Sequence, residues 1–462
     1  MKITHLIFVL LFIAALSFVG YAVAYLPFKT SIVLLIGFIF SILTIINLEI
    51  GLFLLIFVIP FTQQVTLGKL GGFAPVHIGT DDVLIIFILL SWLANLAKRK
   101  DFSFIKTSLN WPIFSFFTIA VFSFIGADAR FGQGAILVCF LHLFKFFEYV
   151  AIYFVVISAI NNLDQVKKFI WMFFIVVGFV VLLHLVIFFR LGFLNVSGPV
   201  VQGFEMDYFI KTMHTFESNA ILGVYYSFFL SILLVIILNT SISEGKAPLL
   251  LFAFFIAIAL FNTFSRAAYL SIVGSFCIIA FFQERKFFLI ILLLIIFSPI
   301  YMQSAVLERI TLTIQNSSLG IVLDPSAAIR LVIWEKGLKI FLDNPILGQG
   351  YWITRWLLHT EAHSQYMAIL IEMGVIGFSI FCWLVVRMFT NAVDLMKKAN
   401  TVFLKSLSLG YIAGFTSILV TCFFSESLES FRMIGPLWFI TGLISSANRL
   451  LSEKTQILEG QK

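Results

Sequence analysis

Apolar stretches long enough to cross a bilayer recur along almost the whole chain, and no other property restricts its fold so strongly. They read as spans near 3–24, 31–47, 50–62, 82–97, 112–126, 137–160, 167–189, 219–239, 248–264, 266–283, 286–302, 364–388, 404–424 and 434–449, fourteen in all. About 20 apolar residues cross the hydrocarbon core as a helix, because a helix satisfies its own backbone groups where no water can. With 61% hydrophobic and 11% charged residues and a mean hydropathy of +1.08, the chain is expected to be an all-α polytopic membrane bundle of 12–14 transmembrane helices. A water-soluble globular fold is excluded. Ile3 to Val23 resembles a signal sequence, yet no A-x-A cleavage site follows and a new apolar run starts at Ser31, so it reads as a retained first helix.

Charge is distributed by side. If the N-terminus is cytoplasmic, the short cytoplasmic connections hold Lys98, Arg99, Lys100, Lys106, Lys167, Lys168, Lys246, Arg285, Lys286, Lys397, Lys398 and Lys405, and the tail Arg449, Lys454 and Lys462, as the positive-inside rule requires. The net charge of +7 is therefore mostly an orientation signal. No basic run is long or interleaved with stacking aromatics, which argues against nucleic acid as a partner. Cys139, Cys277, Cys382 and Cys422 lie in apolar runs without CxxC spacing, so neither a disulfide framework nor a zinc site is indicated.

Arginine gathers on the opposite side, at Arg130, Arg190, Arg266, Arg309, Arg330, Arg355 and Arg432. Guanidinium suits bidentate recognition of phosphate better than ammonium does, so an anionic substrate at that face would account for the set. Helix anchoring at lipid headgroups is the competing explanation. The chain divides accordingly into N-terminal membrane helices (1–302), one long external polar loop of short helices (303–363), and C-terminal membrane helices with a short tail (364–462). Within the loop, Ser326 reads as an N-cap and Ala327 to Asp343 as an amphipathic helix whose apolar residues are Ile329, Ile333, Leu338 and Phe341. Arg330 and Trp334, four apart, share a face. Asn344-Pro345 ends the helix, and Gly348-Gln349-Gly350 follows as a flexible turn.

Several ionisable groups compete for a role. His359 lies four residues before His363, with Glu361 between them, which invites a metal site; no third ligand stands at recognisable spacing, so none is expected. His142, Lys145 and Glu148 recur at i+3 steps in an apolar helix. They line a lipid groove or neutralise one another. Asp81 and Asp82 read as helix-start residues. Glu426, Glu429 and Arg432 either orient a catalytic arginine or form a surface network.

Three runs carry a resemblance. They are Phe264-Ser265-Arg266-Ala-Ala-Tyr-Leu270, then Arg330-Leu-Val-Ile-Trp334 with Asp343-Asn344-Pro345-Ile-Leu-Gly348-Gln-Gly350, and His363-Ser-Gln-Tyr366-Met-Ala-Ile-Leu370-Ile-Glu372-Met-Gly374-Val-Ile-Gly377. Together they resemble the signature of the O-antigen ligase and polymerase family, and Asn219, opening a helix after Phe216, also fits. Members usually carry Asn after the histidine, where this chain has Ser364.

The resemblance implies an inverting, metal-independent and cofactor-free transfer of a glycan from an undecaprenyl-diphosphate carrier, at the outer face of the bacterial cytoplasmic (inner) membrane. The acceptor would be lipid A core for a ligase, or a growing glycan for a polymerase that joins repeat units; the sequence holds no code that separates the two. Residue chemistry fits this. Fixed guanidinium groups stabilise a departing diphosphate, and histidine accepts a proton near neutral pH. His363 is accordingly expected as base, Arg266 and Arg330 as the diphosphate-holding catalytic residues, and Trp334, Arg355 and Lys145 as further substrate contacts. A polysaccharide or lipid transporter is the alternative from another class. It would require ionisable residues and broken helices at the bilayer midplane, where, the 142–148 cluster apart, this sequence is nearly bare.

Overall fold

The computed structural model describes residues 37, 39–62, 64–69, 75–99, 105–125, 128–193, 216, 218–241, 245–283, 314–317, 320–323 and 325–460. The helices are α1 (Leu48–Phe61), α2 (Thr80–Arg99), α3 (Asn110–Phe122), α4 (Asp128–Ala159), α5 (Leu163–Phe193), α6 (Asn219–Asn239), α7 (Lys246–Phe261), α8 (Arg266–Phe282), α9 (Pro325–Asp343), α10 (Thr354–Leu358), α11 (Gln365–Lys398), α12 (Val402–Thr421) and α13 (Phe431–Gly460). Two short antiparallel hairpins, β1 (Gln64–Lys69) with β2 (Pro75–Gly79) and β3 (Ile314–Ser317) with β4 (Gly320–Leu323), decorate loops. Among the described residues six helices are long and apolar enough to cross a membrane, and four shorter ones are equally apolar. The protein is a multi-pass helical membrane bundle. The expected spans 3–24 and 286–302, and residues 31–36 and 38 of 31–47, lie outside the described residues, as does Arg309.

Helix α6 is the axis of the core, buried on nearly every side. Lipid tails offer helices no hydrophobic reason to associate, so close approach and buried hydrogen bonds must do it. Both occur here. Gly410 and Gly414 of α12 lie against α6 so closely that a Cβ on Gly410 would fall 2.7 Å from the Ile232 Cα. On the other side Ser271 donates to Ser227 at 2.9 Å, and Ser231 meets Ser275 at 2.5 Å. Those serine pairs keep one offset, so α8 runs parallel to α6.

Helix α11 is broken at Gly374 (φ 64, ψ −167). The freed carbonyls of Ile371 and Glu372 accept from the N–H groups of Gln349 and Gly350 at 2.9 and 3.0 Å, while Val375 N–H donates to Pro345 O at 2.8 Å. The turn after Asn344-Pro345, expected to be flexible, is therefore pinned to the kink, because each segment supplies the partners the other lacks.

Helix α9 also departs from expectation. It begins at Pro325, whose missing N–H costs nothing in a first turn, so Ser326 lies inside the helix rather than capping it. Its packed face is Ile333 and Gly337 with half-buried Arg330 and Trp334, since Gly337 admits Ile371 and Met367 of α11. Ile329 (56% exposed) and Leu338 (49%), expected on the packed face, point away from the bundle.

Candidate active site

The helices bring 62, 64–69, 75–80, 344–364 and 422–430 to one end of the bundle; the lysines at 98, 106, 167, 168, 246, 397, 398 and 405 fall at the other. At the first end His363 has left-handed backbone (φ 51), a conformation non-glycine residues rarely adopt. Phe264 (φ 52) repeats the arrangement. Each is followed by a serine N-cap: Ser364 accepts from Met367 N–H, and Ser265 from Ala268 N–H. Arg266 thus opens α8 as Gln365 opens α11.

The loop around His363 is held by three hydrogen bonds. Ala362, fully buried, donates its N–H to Glu426 Oε1 at 2.5 Å and accepts from Trp334 Nε1 at 3.0 Å. Gln365 N–H donates to Cys422 O at 2.8 Å. His363 itself is half-buried. Desolvation lowers its pKa below the ordinary histidine value; the charges of Arg330 and Arg355 act in the same direction, and Glu361 opposes them. The imidazole is therefore neutral near pH 7. His359, four residues before His363, lies on no common helix with it: α10 stops at Leu358, and both histidines are left-handed. Among the described residues no three His, Cys, Asp or Glu side chains gather to hold a metal ion.

Arg355 is surrounded by carboxylates. Its Nη1 lies 2.6 Å from Glu429 Oε2, and its Nη2 lies 3.1 Å from Glu426 Oε2 and 3.2 Å from Glu361 Oε1. Its guanidinium also covers the Trp352 ring at 4.7 Å, and that ring stacks on His142 with centroids 3.5 Å apart. Burial works against its charge, but the carboxylates, Glu429 foremost, hold its pKa above the usual arginine value. Burial, reinforced by the Glu429 charge, raises the Glu426 pKa well above the usual carboxyl value, with Arg355 opposing. Glu426 is 6% exposed and Arg432 4%. The surface network expected at 426–432 is thus a buried one, because α13 starts inside the bundle.

Arg330 and Arg266 are both half-buried. Arg330 lies on α9 one turn before Trp334, close enough for its charge to act on His363. Arg266 reaches the same end by the parallel run of α6 and α8: Gly274 faces Val420 of α12, two residues short of the Cys422 carbonyl that holds Gln365. Arg130 lies in α4 and Arg190 near the end of α5.

Lys145 pairs with Asp82 at 3.0 Å, and its charge also acts on Glu148 three residues along α4. Asp82 also accepts from Gly79 N–H at 2.7 Å, and Asp81 binds the hydroxyls of Thr62, at 2.6 Å, and Tyr149. The two aspartates therefore do more than open α2. Phe431 lies between two cations, with Lys145 at 5.2 Å and Arg432 at 4.4 Å, and Arg432 donates to Thr62 O at 3.0 Å. Nothing in the sequence joins these residues, which come from four separate helices and loops. At 1.5 Å per residue, Lys145 stands about 21 Å from the basic end of α4, beyond the middle of an about 30 Å hydrocarbon core.

No curated protein matches the chain. Residues 251–382 match the family model described as O-antigen ligase. That segment carries Arg266, Arg330 and His363 on the helices and loop just described, and over it the chain is similar to the O-antigen ligase family.

Proposed function

We propose that this protein transfers a glycan from an undecaprenyl-diphosphate carrier to an acceptor sugar hydroxyl, in the manner of an O-antigen ligase, at the outer face of the bacterial inner membrane. The family match over residues 251–382 supports the coarser statement, glycan transfer on lipid-linked substrates in surface-glycan biosynthesis. The observation that carries the finer one is His363, held neutral and half-buried beside Arg330 at the end of the bundle away from the lysines. Cytoplasmic lysines by the positive-inside rule leave that end outside.

In this reading the acceptor hydroxyl oxygen bonds to the anomeric carbon as the bond from that carbon to the diphosphate oxygen breaks, with inversion. The proton passes to the His363 imidazole, and the electron pair leaves on the diphosphate. Arg266 and Arg330 stabilise the charge that develops there, as preorganised donors in a partly dry site. Two guanidinium groups meet this need without a metal ion. Arg355, with three carboxylates on its guanidinium, serves to hold the loop rather than the diphosphate. Lys145, committed to Asp82, stands beside the site.

The test is protein purified in lipid, given undecaprenyl-diphosphate glycan and a lipid A core acceptor. His363→Ala is expected to fold, to retain donor, and to transfer roughly 10²–10⁴-fold more slowly. Near-normal transfer by that variant would overturn the assignment.

A further inference from the structure

His363 is the residue that reacts, but its neighbour Ala362 receives the hydrogen bonds. Glu426 Oε1 takes the Ala362 N–H at 2.5 Å, and Trp334 Nε1 reaches the Ala362 carbonyl at 3.0 Å. These groups belong to the two peptide planes flanking Ala362, and the second of those planes ends in the nitrogen of His363. Two residues on, the Gln365 N–H is fixed to Cys422 O at 2.8 Å. With planes held on both sides, the left-handed φ of 51 at His363 has little room to relax. Strained backbone of this kind persists only where its surroundings over-determine it.

Neither holder is an idle surface group. Glu426 divides its two oxygens: Oε1 holds the loop, and Oε2 lies 3.1 Å from Arg355 Nη2. Trp334 stands one turn after Arg330 on α9, so its indole ties the helix that carries that arginine to the loop that carries the histidine.

We infer that Trp334 and Glu426 are positioning residues for the transfer: they clamp the peptide groups of Ala362, so that His363 is presented in register with Arg330. Trp334 then acts through the loop and not, as its place in the sequence suggested, by touching substrate. This rests on the reading of His363 as the base.

The experiment measures kcat and KM of Trp334→Phe, Glu426→Ala and Glu426→Gln, alone and combined with His363→Ala, in lipid with undecaprenyl-diphosphate glycan as donor and with thermal unfolding as a check. Trp334→Phe removes the N–H and keeps the ring. A misplacement near 1 Å costs up to about 100-fold, so Trp334→Phe and Glu426→Ala are each expected to lower kcat by roughly 10- to 100-fold. Donor KM should stay within about twofold of wild type, since uniform binding is untouched. Glu426→Gln should recover most of the rate, because its amide oxygen accepts the same N–H.

In the His363→Ala background the same substitutions should cost nothing further, since residues acting as a unit are not additive. A second readout is the acidic limb of kcat/KM, which should move up towards the ordinary histidine value when the clamp is loosened. Equal losses in both backgrounds with an unmoved pH profile would show a merely structural role and overturn the inference. A rise in donor KM at constant kcat would return Trp334 to the substrate and overturn it as well. If His363→Ala alone transfers normally, the base assignment fails first, and the two failures are told apart.

Discussion

Gly348 and Gly374 meet backbone to backbone. Both have positive φ, 75 and 64; a Cβ on Gly348 would lie 2.4 Å from the Glu372 carbonyl, and one on Gly374 would lie 2.3 Å from the Ile346 carbonyl. The contact seats the 344–350 turn on the break in α11, and the chain leaves that seat directly into Trp352 and Arg355.

Alanine at either glycine is therefore expected to destabilise the protein by more than the about 1–2 kcal/mol that left-handed backbone costs a non-glycine residue. Gly245 is the control: its φ is 86, but nothing lies within 4 Å of an added Cβ. The measurement is the thermal unfolding midpoint in detergent, where Gly348→Ala and Gly374→Ala should fall below Gly245→Ala. Equal midpoints for all three would mean that the backbone contact contributes nothing.

The rate should depend on pH through His363. Only neutral imidazole accepts a proton, and desolvation places the His363 pKa below 6.5. Transfer is expected to be constant from neutral pH downward until that lowered value is crossed, then to fall. The sign is the same for stability: unfolded histidine binds a proton at higher pH than the folded residue does, so the contribution of His363 weakens as pH falls below 6.5. An acidic limb above 6.5 would show that another group is titrating.

Arginine at three positions separates binding from support. Arg266→Lys and Arg330→Lys are each expected to lose tenfold or more in transfer, since one charge-assisted contact is worth about 1.5–3 kcal/mol and about 1.4 kcal/mol is tenfold in rate. Arg355→Met should instead lower stability by about 3–5 kcal/mol, because it leaves buried Glu426 and half-buried Glu429 without their cation. Full activity in both lysine variants would remove the diphosphate role. An unchanged unfolding midpoint in Arg355→Met would remove the supporting one.

Orientation is checked by labelling. Lys336 lies exposed on α9, and Asn161 lies exposed in the turn between α4 and α5 at the opposite end. A cysteine at Lys336 should react with an impermeant maleimide in intact spheroplasts, whereas one at Asn161 should react only after lysis. The reverse pattern would place the site in the cytoplasm.

Apolar length settled the helices: α2, α4 to α8, α11 and α12 run close to their expected spans, because in lipid a long apolar segment has one way to satisfy its backbone. Local pattern also marked the stop at Asn344-Pro345, but the serine it offered as a cap, Ser326, lies inside α9, while the caps Ser265 and Ser364 went unmarked. Tertiary structure alone decided the partners. Lys145, three residues from Glu148 on its own helix, reached Asp82 on another, and Arg355 collected Glu426 and Glu429 from a loop seventy residues later. Sequence spacing governs contacts within one helix. Which faces of different helices meet is set by where glycines such as Gly337, Gly410 and Gly414 let backbones approach, and those approaches bring together charges that no spacing relates.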